Sequence, residues 1–159
     1  KMKISSLEEY GLRCILQVAL AQGKTVGIHA IAKAEGLSAP YVGKLLFFLR
    51  RGGLVASVRG PRGGYRLNLP PEKISVSRVV AALAPASRRG RDICRQFPGD
   101  RKECVHFRGA CGIRSVWGVV YEKVWGVLDN VTLADLMKNM TPVPLDTEKL
   151  DCSRALGAA

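Results

Sequence analysis

The sequence predicts a mainly α-helical chain with one small β-hairpin, arranged as a winged helix-turn-helix followed by a long C-terminal dimerisation helix. Three observations carry that prediction. Residues 57–67, S-V-R-G-P-R-G-G-Y-R-L, join two β-prone arms, Leu54–Val58 and Tyr65–Leu69, through a turn rich in glycine and proline. Proline presets a turn dihedral, and glycine supplies the positive φ that tight hairpins need. Upstream, two amphipathic helical segments meet at Gly36, as in a helix-turn-helix. Downstream, Ile113, Val116, Trp117, Val120, Val124 and Leu128 recur at helical intervals. That stripe is too apolar for an isolated helix, so it packs on its own domain or pairs with a second copy.

Each element has a local justification. Ser5 or Ser6 caps the first helix, and Glu8 and Glu9 in its first turn suit the helix dipole. Leu12, Ile15, Leu16, Ala19 and Leu20 form its apolar pattern, and Gln22-Gly23 stops it. A second helix is expected from Ile28 to Glu35, ended by Gly36. Ser38 caps a third, from Ala39 to Arg51, whose first turn tolerates Pro40 because the missing N–H has no partner there anyway. Val42, Leu45, Leu46 and Leu49 form its inward stripe. Phe47 and Phe48 are adjacent and cannot both face that core. Gly52-Gly53 ends the helix, and the hairpin follows. Beyond Pro70-Pro71, Ser75 caps a short helix over 76–84, and residues 85–112 read as irregular. The long helix is expected over 113–129, and Thr132 caps a last short one, L-A-D-L-M-K-N-M. The expected division is a winged helix-turn-helix DNA-binding domain (1–84), a cysteine-bearing loop (85–112), a dimerisation helix with a short C-terminal helix (113–141) and a flexible tail (142–159).

A chain of 159 residues that is 47% hydrophobic can bury a core. It has no run of eighteen apolar residues, so no membrane span is expected. Its first residues lack the apolar core of a signal peptide, and a cytoplasmic location is expected. The net charge is +12, unevenly placed: residues 1–84 hold 13 basic and 4 acidic groups, residues 113–159 hold 5 and 6. A polyanion facing the first half is therefore expected. No basic amphipathic helix of the kind that suits a membrane surface stands out. With two histidines and no paired carboxylates near a nucleophile, the sequence offers no catalytic constellation.

In a helix-turn-helix, the N-terminal residues of the second helix reach base edges in the major groove. Here these include Ser38, Pro40, Tyr41 and Lys44. Ser38 and Tyr41 can hydrogen-bond bases or phosphates, and Lys44 can meet phosphate. On the hairpin, Arg59 and Arg62 present guanidinium forks to phosphates or a minor groove, with Gly63 and Tyr65 beside them.

Cys94, Cys104 and Cys111 fall in the basic irregular segment, outside any apolar run. Neighbouring Arg91, Arg95, Arg101, Lys102 and Arg108 favour thiolate, the form that binds metal. Five cysteines is an odd number, which argues against a disulfide framework. His106 can complete a Cys₃His zinc site, and Glu8, Glu9 or His29 can supply a ligand from elsewhere. Spacing alone leaves an iron–sulfur cluster and zinc equally open, with a metal-free thiol switch behind them. Cys14 sits in the apolar pattern of the first helix and reads as core; Cys152 lies in the tail.

Together these segments resemble the Rrf2 family of bacterial winged-helix transcription regulators, in particular its IscR- and NsrR-type iron–sulfur branches. The resemblance spans about residues 2–140. It rests on M-K-I-S-S-L-E-E-Y at the start, I-A-K-A-E-G-L-S-A-P-Y-V at the helix-turn-helix, G-L-V-A-S-V-R-G-P-R-G-G-Y-R-L at the wing, the three cysteines and the late L-D-N-V-T-L-A-D-L. It implies a homodimer paired through Trp117, Val120, Val124 and Leu128 that binds double-stranded DNA at a palindromic operator. It further implies an iron–sulfur cluster on Cys94, Cys104 and Cys111 that senses redox state, nitric oxide or iron–sulfur supply. The cysteine spacings exceed those common in the family. The IscR-type histidine ligand falls at Arg114, whereas the NsrR-type carboxylate falls at Glu9, beside Glu8. That pattern favours a carboxylate fourth ligand and a [4Fe–4S] over a [2Fe–2S] cluster. The competing expectation is a winged-helix DNA-binding regulator stapled by zinc, which senses nothing.

Overall fold

In the computed structural model, the structure describes residues 5–60, 63–83, 99–100, 104–106, 109 and 111–138. The chain divides into two compact units, one spanning Lys1–Ala84 and Leu128–Thr141, the other Pro85–Val127 and Pro142–Ala159. The predicted residues Arg62 and Cys94 and the tail over 142–159 lie outside the described residues.

In the first unit, α1 (Ser6–Leu20) opens on a capping box. The Glu8 amide donates to Ser5 Oγ at 3.3 Å, while the Glu8 carboxylate accepts from the Ser5 amide at 2.7 Å. Two otherwise unsatisfied donors of the first turn are thereby satisfied. The α2 helix (Ile28–Glu35) ends at Gly36 in the left-handed conformation, φ 66°. The α3 helix (Ala39–Arg51) follows with Ser38 at its N-cap. The Ser38 hydroxyl, expected to cap, makes no capping hydrogen bond; only its carbonyl accepts, from the Val42 amide at 3.0 Å.

Strands β1 (Val55–Val58) and β2 (Gly64–Leu67) pair antiparallel, Val55 opposite Leu67 and Val58 opposite Gly64. The second arm is shorter than its residue types suggest. Past Leu67 the pairing continues for one more hydrogen bond, from the Asn68 amide to the Leu54 carbonyl at 3.0 Å, and the Asn68 side-chain amide donates to the Gly53 carbonyl at 3.0 Å. A 3₁₀ turn at Pro71–Lys73, not anticipated from the sequence, leads into α4 (Val76–Leu83).

One core closes this unit. Ile15, Ile31, Leu45, Leu46, Leu49, Leu54, Ile74 and Leu133 have almost no solvent-accessible surface. Each such side chain contributes roughly 1.5–3 kcal/mol by leaving water. At its edge, Glu35 holds α2 to α1 by accepting from Arg13 Nε at 2.7 Å and Gln17 Nε2 at 2.6 Å.

The last short helix, α6 (Leu133–Met137), adds Leu133 to this core, with Leu136 and Met137 packed against it. Its approach is a backbone clasp: the Val76 amide donates to the Val131 carbonyl at 2.8 Å and the Leu133 amide to the Ile74 carbonyl at 2.9 Å. Thr132 then caps the helix through a box with Asp135, and these bonds from Thr132 hold the Asp135 carboxyl below its usual range.

Helix α5 (Gly112–Asn130) starts in the second unit and ends in the first. None of its side chains is buried, and Ile113, Val116, Trp117, Val120 and Val127 are exposed.

Because Leu133 fills the core from far along the chain, Leu133→Ala is expected to lower the unfolding free energy by about 2–5 kcal/mol. A urea titration followed by circular dichroism reads this directly. An unchanged midpoint would show that the C-terminal clasp is not part of the cooperative core.

Candidate functional site

The geometry of α3 decides what it can present. At about 100° per residue, burying Val42, Leu45, Leu46 and Leu49 turns Pro40, Lys44, Phe47 and Arg51 to the opposite side. All four of those residues are exposed, and Ser38 is exposed at the start of the helix. Tyr41 lies on the flank facing α1 and is half-buried. Its ring meets Tyr10 edge-on, centroids 6.0 Å apart and planes at 81°. The Arg13 guanidinium lies over Tyr10, 5.5 Å from the ring centre. The chain of contacts Glu35–Arg13–Tyr10–Tyr41 therefore anchors the start of α3 on the other two helices.

The hairpin sits on the other flank of α3, where Arg50 Nη1 donates to Ser57 Oγ at 3.4 Å. Strand β2 is docked by a two-way bridge to the loop before α2. The Tyr65 amide donates to the Val26 carbonyl at 2.8 Å and the Val26 amide to the Tyr65 carbonyl at 2.9 Å. Glycine is required here by space. A Cβ on Gly64 would stand 2.5 Å from the Val26 oxygen, and one on Gly63 would stand 2.4 Å from the Val58 oxygen.

Between α3 and the hairpin lies an open groove of about 610 Å³, lined by residues that include Ile28, His29, Pro40, Ser57, Gly63 and Tyr65. It brings together three of the residues expected at a DNA surface, Pro40, Gly63 and Tyr65. Arg59 is exposed at the end of β1 and Lys44 on the outward face of α3. The sequence marks His29 only as a candidate metal ligand, yet it lines this groove from the first turn of α2. Its place at the N-terminus of the first helix of the pair was the signal available. Electropositive helix starts and exposed cations around such a groove suit a phosphate backbone.

The cysteines separate into two chemical classes. Cys14 is fully buried, and burial pushes its thiol up to about 11. Cys104 and Cys111 are partly exposed, and neither is in a disulfide. Cys111 immediately precedes α5, and its carbonyl accepts from the Ser115 amide at 3.2 Å and the Ser115 hydroxyl at 3.3 Å. Arg114 ties the segment back, donating to the Gly109 carbonyl at 3.0 Å. Of the two carboxylates proposed as ligands, Glu8 is engaged in the capping box, whereas Glu9 is exposed. Among the described residues, no three His, Cys, Asp or Glu side chains gather to hold a metal, His106 included. The thiol donors themselves suit a thiophilic metal or an iron–sulfur cluster.

A family model described as "Rrf2: Iron-dependent Transcriptional regulator" matches residues 4–139. The chain belongs to the Rrf2 family of transcriptional regulators. These are regulators and not enzymes, in keeping with the lack of a catalytic constellation. Among similar Rrf2 proteins is the HTH-type transcriptional regulator IscR of Serratia proteamaculans, 36% identical over 87% of this chain and 80% of that protein. Solved structures that share the fold include two named regulators. IscR of T. potens superposes with a TM-score of 0.66 at 32% identity, over 86% of this chain and 87% of that one. CymR, the global cysteine regulator of B. subtilis, superposes with a TM-score of 0.68 at 30% identity, over 88% and 99%. The winged-helix fold class expected from the sequence is thus the fold of this Rrf2 regulator. No helix among its described residues is long and apolar enough to cross a membrane.

The two cysteine classes should separate chemically. Iodoacetamide at pH 8 is expected to modify Cys104 and Cys111 and to spare Cys14, as read by peptide mass spectrometry; rapid modification of Cys14 would contradict its burial. The raised Cys14 pKa also carries a pH signature. In the fold the thiol stays protonated while the unfolded chain ionises at its ordinary 9.0. Stability present below pH 9 is therefore lost as pH rises toward about 11, and Cys14→Ala should flatten that part of the decline.

Proposed function

We propose that this chain is a homodimeric, cytoplasmic regulator that binds a palindromic operator in double-stranded DNA, with binding gated by an iron–sulfur cluster. The observation that carries the DNA reading is the groove between α3 and the hairpin, set in the half of the chain where basic groups outnumber acidic ones 13 to 4. Ser38, Pro40 and Lys44 would face the major groove, with Tyr41, half-buried on the α1 flank of the helix, at its phosphate edge. Arg59, Arg62, Gly63 and Tyr65 would follow the backbone or the adjacent minor groove.

The pairing surface is α5, whose Trp117 and Val120 stay 46% and 39% exposed in the single chain. With Val124 and Leu128 they form an apolar seam that a second copy would cover. A two-fold dimer places its recognition helices about 34 Å apart, or a multiple of that, which requires matched half-sites.

Cys94, Cys104 and Cys111 would hold the cluster, with the Glu9 carboxylate as the fourth ligand and a [4Fe–4S] form favoured. The family's description as iron-dependent supports this reading. When bound, the cluster supplies a centre that reacts with oxidants and nitric oxide. The chain's own contribution is mechanical. The cysteine segment runs directly into the start of α5 at Cys111, so holding or releasing it biases the helix on which the dimer is built.

Two measurements test this function. Protein purified without oxygen is expected to absorb broadly near roughly 400 nm with matched iron and sulfide, and Cys104→Ala to lose both while keeping its helical circular dichroism. Unchanged cluster content in that variant, or a colourless protein holding stoichiometric zinc, would overturn the cluster assignment. Operator affinity should fall steeply with salt, and Arg59→Ala should reduce the salt slope by about one per site contacted. A flat salt response would refute the DNA face.

A further inference from the structure

We infer that Phe47 is a base-reading residue that contacts the 5-methyl group of a thymine in the major groove, a deepening that rests on the DNA-binding reading above. The two adjacent phenylalanines of α3 are used differently. Phe48 packs against the hydrophobic core, while Phe47 is 49% exposed and takes no part in that core. Its ring is nevertheless held in place, edge-on to Phe48 with centroids 5.7 Å apart and planes at 69°. An exposed aromatic ring fixed by its neighbour is a preorganised apolar contact.

The surroundings select the occupant. Phe47 shares the outward stripe of α3 with Pro40, Lys44 and Arg51, at helical intervals of four, three and four residues. A lone ring between two exposed cations does not match the core of a protein–protein interface, which is depleted of charge. It does match a polyanion whose grooves carry apolar methyl groups, and phenylalanine is one of the side chains that pairs with the thymine methyl. Gly43, on the same side one turn earlier, projects nothing, and even an added Cβ would meet only Ile28 Cδ1 at 3.9 Å. From Pro40 to Phe47 the axis rises about 10.5 Å, or about three base-pair steps. Phe47 thus reads a different base pair from the residues of the first turn.

The test uses the full-length protein and a duplex selected by it from a random-sequence library. Each thymine of that duplex is replaced singly by deoxyuridine, which lacks only the 5-methyl group. Wild type is expected to lose about fourfold in affinity at one thymine per half-site. Phe47→Ser should bind the thymine and uracil duplexes within twofold of each other, and Phe47→Leu should retain part of the difference. Uracil tolerated at every position by wild type, or a penalty that survives in Phe47→Ser, would overturn the assignment. Failure of wild type to enrich any sequence would instead overturn the DNA-binding reading beneath it.

Discussion

The burial of one face of α3 is the constraint on which the rest of the first unit depends. Val42, Leu45, Leu46 and Leu49 are all inaccessible to solvent. With 3.6 residues per turn, seating those four leaves no freedom in what the opposite face presents. Helices α1 and α2 form the other side of that seat. They are joined at Glu35, which accepts from both Arg13 and Gln17. The hydrophobic effect supplies the driving force, and the polar contacts at the margin settle the orientation.

A two-stranded hairpin is marginal by itself in water. Here it gains its position from its neighbours: the two-way bridge to Val26, the Asn68 side chain on the Gly53 carbonyl and the Arg50–Ser57 contact. The glycines at 63 and 64 matter because the backbones come too close for any side chain. The outcome is a groove of defined walls beside a helix of defined rotation. Rigid positioning of this kind is what base reading requires, since displacement of the helix would misalign every contact at once.

The cysteines show how one residue type is given two roles by environment. At position 14 the thiol lies on the inward face of α1 within the hydrophobic core and stays protonated. At 104 and 111 the thiols are reachable and stand at the approach to α5. Accessible and inaccessible thiols are thus separated by burial, not by composition.

The sequence by itself determined the elements of local origin. Period-3.6 stripes, a serine cap at 5 or 6, Thr132 as a cap, Gly36 as a stop and the glycine-rich hairpin turn act within a few residues, so they are legible without a fold. The stretch from helix-turn-helix to wing also carried the family, because its turn and cap residues are individually constrained. Tertiary structure decided the rest. Whether the Ser38 hydroxyl caps, and whether Phe47 or Phe48 turns inward, depends on what packs against α3. His29 reaches the groove rim only because the hairpin folds back beside α2. The clasp of 131–133 onto 74–76 joins segments far apart in the chain through backbone hydrogen bonds, which leave no side-chain pattern to read. A sequence records local preference residue by residue; long-range pairing exists only once the core has brought its partners together.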